Sequence, residues 1–271
     1  MGPLARERAT MSAMEPKKSL GQHWLHDAES LDAMLTAADV APEDTVLEIG
    51  PGLGALTERL VSRTKQVVAV EFDEALARSL PRRVPADNLT VTYQDILRFD
   101  LTSLPPGYKV VANIPYYLTS KLLRTLCEAP NHFATAALLV QKEVAERVCA
   151  GPGGMSLLSV SVQFYAEATL REVVPAGLFT PPPKVDSQIL RLVWREQPLF
   201  SDVDTKYFFQ VVKAGFSQRR KTLLNSLSAG LHLDRAQTTI LLEQAGITPT
   251  TRAQALSLED WHRLYLAAQE Q

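Results

Sequence analysis

The feature that most constrains the fold is a series of short apolar runs, each ending in a residue that packing alone does not require. Thr45-Val46-Leu47-Glu48-Ile49 runs into Gly50, and Gln66 to Val70 ends at Glu71. Leu89 to Tyr93 leads to Gln94-Asp95, and Lys109-Val110-Val111-Ala112 delivers Asn113. Runs of this length, separated by helical stretches, describe parallel strands joined by crossover helices. In an open α/β sheet, ligands bind outside the carboxyl ends of the strands. Four candidate ligand groups at four successive strand ends therefore gather one site at one edge of one sheet.

The first strand end is Gly50-Pro51-Gly52-Leu53-Gly54-Ala55. Glycines let the backbone approach a ligand closely, and the helix that follows offers free N–H groups. Gly50, Gly52 and Ala55 satisfy the dinucleotide fingerprint. The same loop, preceded by Glu48, also resembles the S-adenosylmethionine loop of Rossmann-like methyltransferases. Glu71 lies about twenty residues further on, which suits a carboxylate accepting from a ribose diol. NAD and S-adenosylmethionine both carry that diol. Asp95 stands where methyltransferases hold the adenine amine of their cofactor, and so favours the methyl donor. Phe72-Asp73 opens a helix carrying Leu76 and Leu80, which Pro81 is expected to end.

Asn113-Ile114-Pro115-Tyr116 forms the fourth strand end. Pro115 cannot donate to a sheet ladder, so the strand stops there. Asn113 has an amide that both donates and accepts, and Tyr116 offers a flat π-face with a polar tip. In isolation this is equally a packed strand-to-helix turn. As fourth in the series, it reads as a grip on a planar group with an exocyclic amine. Adenine N6 is a poor nucleophile because its lone pair is delocalised into the ring. Asn113 Oδ1 and the Pro115 carbonyl, each accepting one N6–H, would turn that lone pair toward an electrophilic methyl. Tyr116 would stack on the base, and the base must be unpaired or flipped out to arrive.

Leu20-Gly21-Gln22-His23-Trp24-Leu25, Leu47-Glu48-Ile49-Gly50-Pro51-Gly52-Leu53-Gly54-Ala55-Leu56-Thr57, Asn113-Ile114-Pro115-Tyr116-Tyr117 and Gln141 to Arg147 resemble the small-subunit (16S) ribosomal RNA adenine-N6 dimethyltransferases of the KsgA type. The resemblance runs from about Lys17 to Asn225. It implies a Rossmann-like α/β methyltransferase domain that holds S-adenosylmethionine by His23, Leu25, Gly50, Gly52, Glu71, Asp95 and Asn113. S-adenosylhomocysteine would be the product, and no metal takes part. It implies dimethylation of N6 on two adjacent adenosines in a hairpin loop near the 3′ end of that RNA, during small-subunit biogenesis. His23 occupies a position where the family commonly has Asn. Met155-Ser156-Leu157-Leu158-Ser159-Val160 replaces the family's Tyr-Gly before Leu-Ser-Val. In Phe179-Thr180-Pro181-Pro182-Pro183, three prolines stiffen the backbone. On its own, Phe179 reads as a plug in the core; the resemblance makes it a second stacking face beside Tyr116.

The 271 residues allow one large domain and a smaller one. We expect a flexible tail over 1–16, the methyltransferase domain over 17–195 and a small all-helical domain over 196–271. Ala136 to Val140 reads as a fifth strand, Gln141 to Cys149 as a helix, Ser159 to Tyr165 as a sixth strand or its approach and Ser187 to Trp194 as the last. Beyond Arg195, Tyr207, Phe208, Val211, Val212 and Phe216 sit at helical spacing. The net charge of −2 argues against a uniformly basic nucleic-acid binder. No acid stands between Asp204 and Asp234, however, while Lys206, Lys213, Arg219, Arg220 and Lys221 all do. Arg219-Arg220-Lys221 matches the family's basic motif, so Lys213 and these three are expected on RNA phosphates.

Cys127 and Cys149 give neither a disulfide framework nor metal-ligand spacing. No run is long enough to span a bilayer and the start of the chain shows no secretory signal, so a cytoplasmic protein is expected. The resemblance implies action on immature small subunits, and a monomer is expected. Three alternatives stand beside this reading. One keeps the chemistry on large-subunit RNA or DNA. A second is an assembly or transcription factor that mainly binds nucleic acid. The third is an NAD-dependent oxidoreductase, which rests on the glycine pattern alone.

Overall fold

The computed structural model describes residues 15–17 and 20–269. The expected tail lies outside them, apart from Glu15 and Pro16. The strands are β1 (Trp24–Leu25), β2 (Thr45–Ile49), β3 (Gln66–Glu71), β4 (Leu89–Tyr93), β5 (Lys109–Asn113), β6 (Thr135–Gln141), β7 (Ala166–Val174), β8 (Phe179–Thr180) and β9 (Ser187–Trp194). The helices are α1 (Ala28–Ala37), α2 (Ala55–Val61), α3 (Glu74–Arg83), α4 (Thr119–Glu128), α5 (Lys142–Val148), α6 (Leu157–Gln163), α7 (Thr205–Phe216), α8 (Leu223–Leu231), α9 (Arg235–Gln244) and α10 (Leu258–Gln269).

Seven strands form one sheet in the order β4-β3-β2-β5-β6-β9-β7. β2 to β6 are parallel, while β9 runs antiparallel between β6 and β7. Side chains alternate across the sheet, as the pleat requires. On β5, Val110 and Ala112 pack with Leu122, Leu123 and Leu126 of α4. Val111 faces the other way, among Leu31, Met34 and Leu35 of α1. The chain order reverses between β2 and β5, which opens the crevice where Gly50 and Asn113 end their strands.

Two expectations give way. Ser159 to Tyr165 is not a strand, because α6 covers Leu157–Gln163. Its β-branched valines favour a strand locally. Ser156 and Ser159 nevertheless form a reciprocal capping box that starts a helix. The true neighbour of β9 is β7, mostly exposed and without a clean alternation. Nor does Pro81 end α3, which continues to Arg83. The proline falls in the last turn, where it removes one N–H. Asp73 caps the start through bonds to Ala75 and Leu76, and fully buried Leu80 anchors the end.

The helical region α7–α10 buries Phe208, Leu227, Leu241, Trp261 and Tyr265 in its own cluster. That cluster also takes in Met155, Val160 and Phe164, which precede Arg195 in sequence. Gly153 and Met155 donate their backbone N–H groups to the Gln254 carbonyl. The loop that departs from the family pattern is thus fastened to the helical region. Cys127 is buried and Cys149 half-buried, both as free thiols. Burial pushes them up to about 12 and about 11 respectively.

Candidate active site at the strand ends

A cavity of about 350 Å³ opens at the carboxyl ends of β2 to β5. Gly50, Gly52, Glu71, Asp95, Asn113, Pro115, Tyr116 and His23 all stand on its wall. Backbone geometry explains the loop between β2 and α2. Gly50 and Gly52 sit at φ +69° and +57°, where a side chain is strained. A Cβ on Gly52 would also approach Trp24 Cδ1 at 3.3 Å. Arg83 braces the loop by donating to the Gly52 carbonyl at 3.2 Å.

Glu71 ends β3 only 6 % exposed. Its Oε2 accepts the Gly52 N–H at 3.1 Å and its Oε1 the Asp73 N–H at 2.8 Å. Burial raises this carboxyl above its ordinary value, and those backbone donors oppose the rise. Each oxygen keeps further acceptor capacity toward the cavity. Asp95 caps the turn after β4 by accepting the Leu97 N–H at 3.0 Å through Oδ1, which leaves Oδ2 without a donor among the described residues. Trp24, on the same wall, keeps its indole N–H buried with no acceptor. A buried diol acceptor, a free carboxylate oxygen and an unspent donor in one cavity fit a nucleoside-bearing ligand.

The tetrapeptide lies beside this wall. Asn113 Nδ2 donates to the His23 carbonyl at 2.9 Å. That bond fixes the amide so that Oδ1 is the acceptor left without a partner among the described residues. The Pro115 carbonyl already accepts Leu118 N–H at 2.9 Å and keeps one lone pair. Tyr116 stacks on the His23 ring at 5.9 Å, and its hydroxyl lies 2.9 Å from Ser187 Oγ. Burial raises the Tyr116 hydroxyl above the ordinary phenol range, so the ring is neutral at physiological pH. His23 Nδ1–H donates to the Pro181 carbonyl at 2.7 Å. One histidine therefore ties the N-terminal loop, the tetrapeptide and the proline-rich loop together.

Two expected site residues lie elsewhere. Phe179 is 3 % exposed and packs in the core with Leu35, Leu139 and Ile189, off the cavity wall. It pairs with Leu25 across the short β1–β8 ribbon, and apolar burial holds it there. Leu25 is likewise buried, at 4 %, and lines only a small adjoining void. Conversely, Gln22, Trp24, Phe72, Ile96, Tyr117 and Lys121 join the wall. Gln22, Trp24 and Tyr117 stood within the quoted motifs beside His23 and Tyr116, and Phe72 and Ile96 adjoin Glu71 and Asp95; Lys121 carried no signal. Lys213, Arg219, Arg220 and Lys221 are all exposed, and among the described residues no carboxylate pairs with them. Within the same limits, no cluster of three or more His, Cys, Asp or Glu could hold a metal, and no helix is long and apolar enough to cross a membrane.

Fold and cleft together define a Rossmann-like methyltransferase carrying a C-terminal helical region. The family model described as ribosomal RNA adenine dimethylase matches residues 13–270, and the chain belongs to that family. A relative from Dehalococcoides mccartyi (strain CBDB1), ribosomal RNA small subunit methyltransferase A, is 43 % identical over 97 % of this chain and 91 % of its own length. One of the same name from Bacillus cytotoxicus is 39 % identical over 92 % of this chain and 89 % of its own. Among solved structures, a dimethyladenosine transferase from Plasmodium falciparum superposes with TM-score 0.79 at 28 % identity, over 92 % of this chain and 98 % of that one. The 23S rRNA methyltransferase ErmE gives TM-score 0.73 at 30 % identity, over 91 % of this chain and 99 % of that one.

Proposed function

We propose that this enzyme dimethylates N6 of two adjacent adenosines in a hairpin loop near the 3′ end of small-subunit ribosomal RNA, using S-adenosylmethionine. The substrate would be an immature small subunit, and the protein would act as a cytoplasmic monomer. The observation that carries the reading is the Asn113 amide, tied through Nδ2 so that Oδ1 is the free acceptor beside Tyr116. S-adenosylmethionine supplies an electrophilic methyl on a sulfonium. Glu71 would accept from its ribose and Asp95 from its adenine amine, while the Gly50–Gly52 loop leaves room for its approach. Asn113 Oδ1 and the remaining lone pair of the Pro115 carbonyl would each accept one N6–H of the target adenine. That directs the N6 lone pair along the line of attack. The proton that N6 would give up is held between the Asn113 and Pro115 acceptors and would pass from there to water. No strong base is needed, which suits a wall whose tyrosine is neutral. Holding the partners in this geometry accounts for up to roughly 7–11 kcal/mol of barrier. Tyr116 would stack on the base, and Lys213, Arg219, Arg220 and Lys221 would contact phosphates.

Mass spectrometry of small-subunit RNA from cells with and without the protein tests the reading. Dimethyladenosine at two adjacent positions should vanish without it. Methyl incorporation into naked RNA, small-subunit particles, large-subunit RNA and DNA separates the substrates, the likeness to ErmE being the reason for the large-subunit arm. Preferential incorporation into large-subunit RNA would overturn the small-subunit assignment.

A further inference from the structure

We propose that Tyr117 and Lys121 form a subsite for the nucleotide next to the target adenosine, the ring stacking on that neighbour's base and the ammonium meeting its phosphate. This rests on the RNA-adenine reading above. Tyr116 and Tyr117 are consecutive on a 3₁₀ turn, where successive side chains point about 120° apart. They diverge accordingly. Tyr116 is half-buried and holds Ser187, whereas Tyr117 is 63 % exposed at the mouth of the same cavity.

The exposed ring is nonetheless backed. Gly21 lies behind it, so that a Cβ there would stand 3.5 Å from Tyr117 Cδ1 and 3.6 Å from Cε1. A ring with the Gly21 backbone along one side and 63 % exposed is open to stack on a base. Lys121 follows four residues on, in the first turn of α4, and stands with Tyr117 on the wall of the same cavity. It lines the cavity, is exposed, and among the described residues has no carboxylate partner. Arg124, on the same helix, is instead held by Glu128 at 2.8 Å. A bare aromatic face with an unpaired cation beside it is the combination that holds single-stranded nucleic acid. A second base at this point would make the site prefer an adenosine whose neighbour is also unstacked.

The test uses an RNA hairpin oligonucleotide whose target adenosine has either an ordinary or an abasic neighbour. Methyl-transfer KM is measured for wild type, Tyr117→Ala, Tyr117→Trp and Lys121→Ala, with cofactor affinity followed by calorimetry. The abasic neighbour should raise the wild-type KM roughly tenfold, and Tyr117→Ala should raise it similarly on the intact hairpin. Combined, the two changes should add little to either alone. Tyr117→Trp should restore the wild-type KM, and Lys121→Ala should flatten its salt dependence. If Tyr117→Ala costs the same factor on both hairpins, or weakens cofactor binding instead, the subsite is wrong. A wild type that methylates the hairpin regardless of the neighbour overturns the subsite alone. A wild type that methylates no RNA adenine overturns the function on which it rests.

Discussion

The cleft and the helical surface meet a ligand in opposite ways. In the cleft, polar groups are few, sheltered and already bonded: Glu71 is 6 % exposed with two backbone donors, and Asn113 is tied to the His23 carbonyl. Their geometry exists before any ligand arrives, so little is lost in ordering them. On the helical surface, Lys213, Arg219, Arg220 and Lys221 are exposed and unpaired by carboxylates among the described residues. Such side chains act by charge and through counterion release, not by fixed geometry. On the proposed function, the contrast teaches a division of labour: the cleft would fix the reaction, and the surface would set how strongly RNA is held.

Asn113→Ala should break the cleft side most severely. It removes one of the two acceptors proposed for the N6 amine while leaving the cations untouched. The turnover number should fall about 10³-fold, or about 4 kcal/mol of barrier, with RNA affinity unchanged. Single-turnover kinetics paired with RNA-binding titrations check this, and near-normal turnover would remove the tetrapeptide from the chemistry.

Glu48 offers the next largest effect. It is fully buried, and among the described residues neither oxygen makes a well-formed hydrogen bond, although the nearby Thr57 hydroxyl partly offsets its burial. Burial pushes its carboxyl up to about 8 from an ordinary value of 4.5. Between those two values the unfolded chain has lost the proton that the folded one keeps. Stability therefore falls as pH rises through that window and levels off above it. Glu48→Gln should abolish the dependence, gaining on the order of 2–5 kcal/mol at pH 8.5 and almost nothing at pH 4.5. Denaturant melts at the two pH values measure it.

Arg219, Arg220 and Lys221, replaced together by Ala, should sharpen the other side. RNA KM should rise roughly tenfold to a hundredfold, and the slope of log affinity against log salt should shrink by about two to three. Turnover and cofactor affinity should hold. Tyr116→Phe is the mildest change, because it keeps the stacking face and removes only the bond to Ser187. It should cost about 0.5–1.5 kcal/mol, seen as a modest rise in KM.

Much of the architecture was legible in the chain. The apolar runs ending at Gly50, Glu71, Asp95 and Asn113 gave the parallel strands, because a strand buried on both faces must read as continuous apolar sequence. Seven of the eight expected cavity residues that stand on its wall come from those strand ends and the turn after β5; His23 is the eighth. Phe179 was less legible, because a buried plug and a stacking face use the same side chain. α6 was misread, because its valines favour a strand until Ser156 caps a helix and the helical region covers its apolar side.

The sequence by itself determined the order of strand ends, the glycine loop and the unopposed run of cations. Each of these is set by local chemistry: strand periodicity, φ freedom and charge. Only the tertiary structure decided which lone pairs are free. That Asn113 turns its Nδ2 to a carbonyl 90 residues away, and that His23 ties it to the proline-rich loop, depends on contacts between distant segments. Hydrogen-bond partners far apart in the chain leave no periodic trace in it.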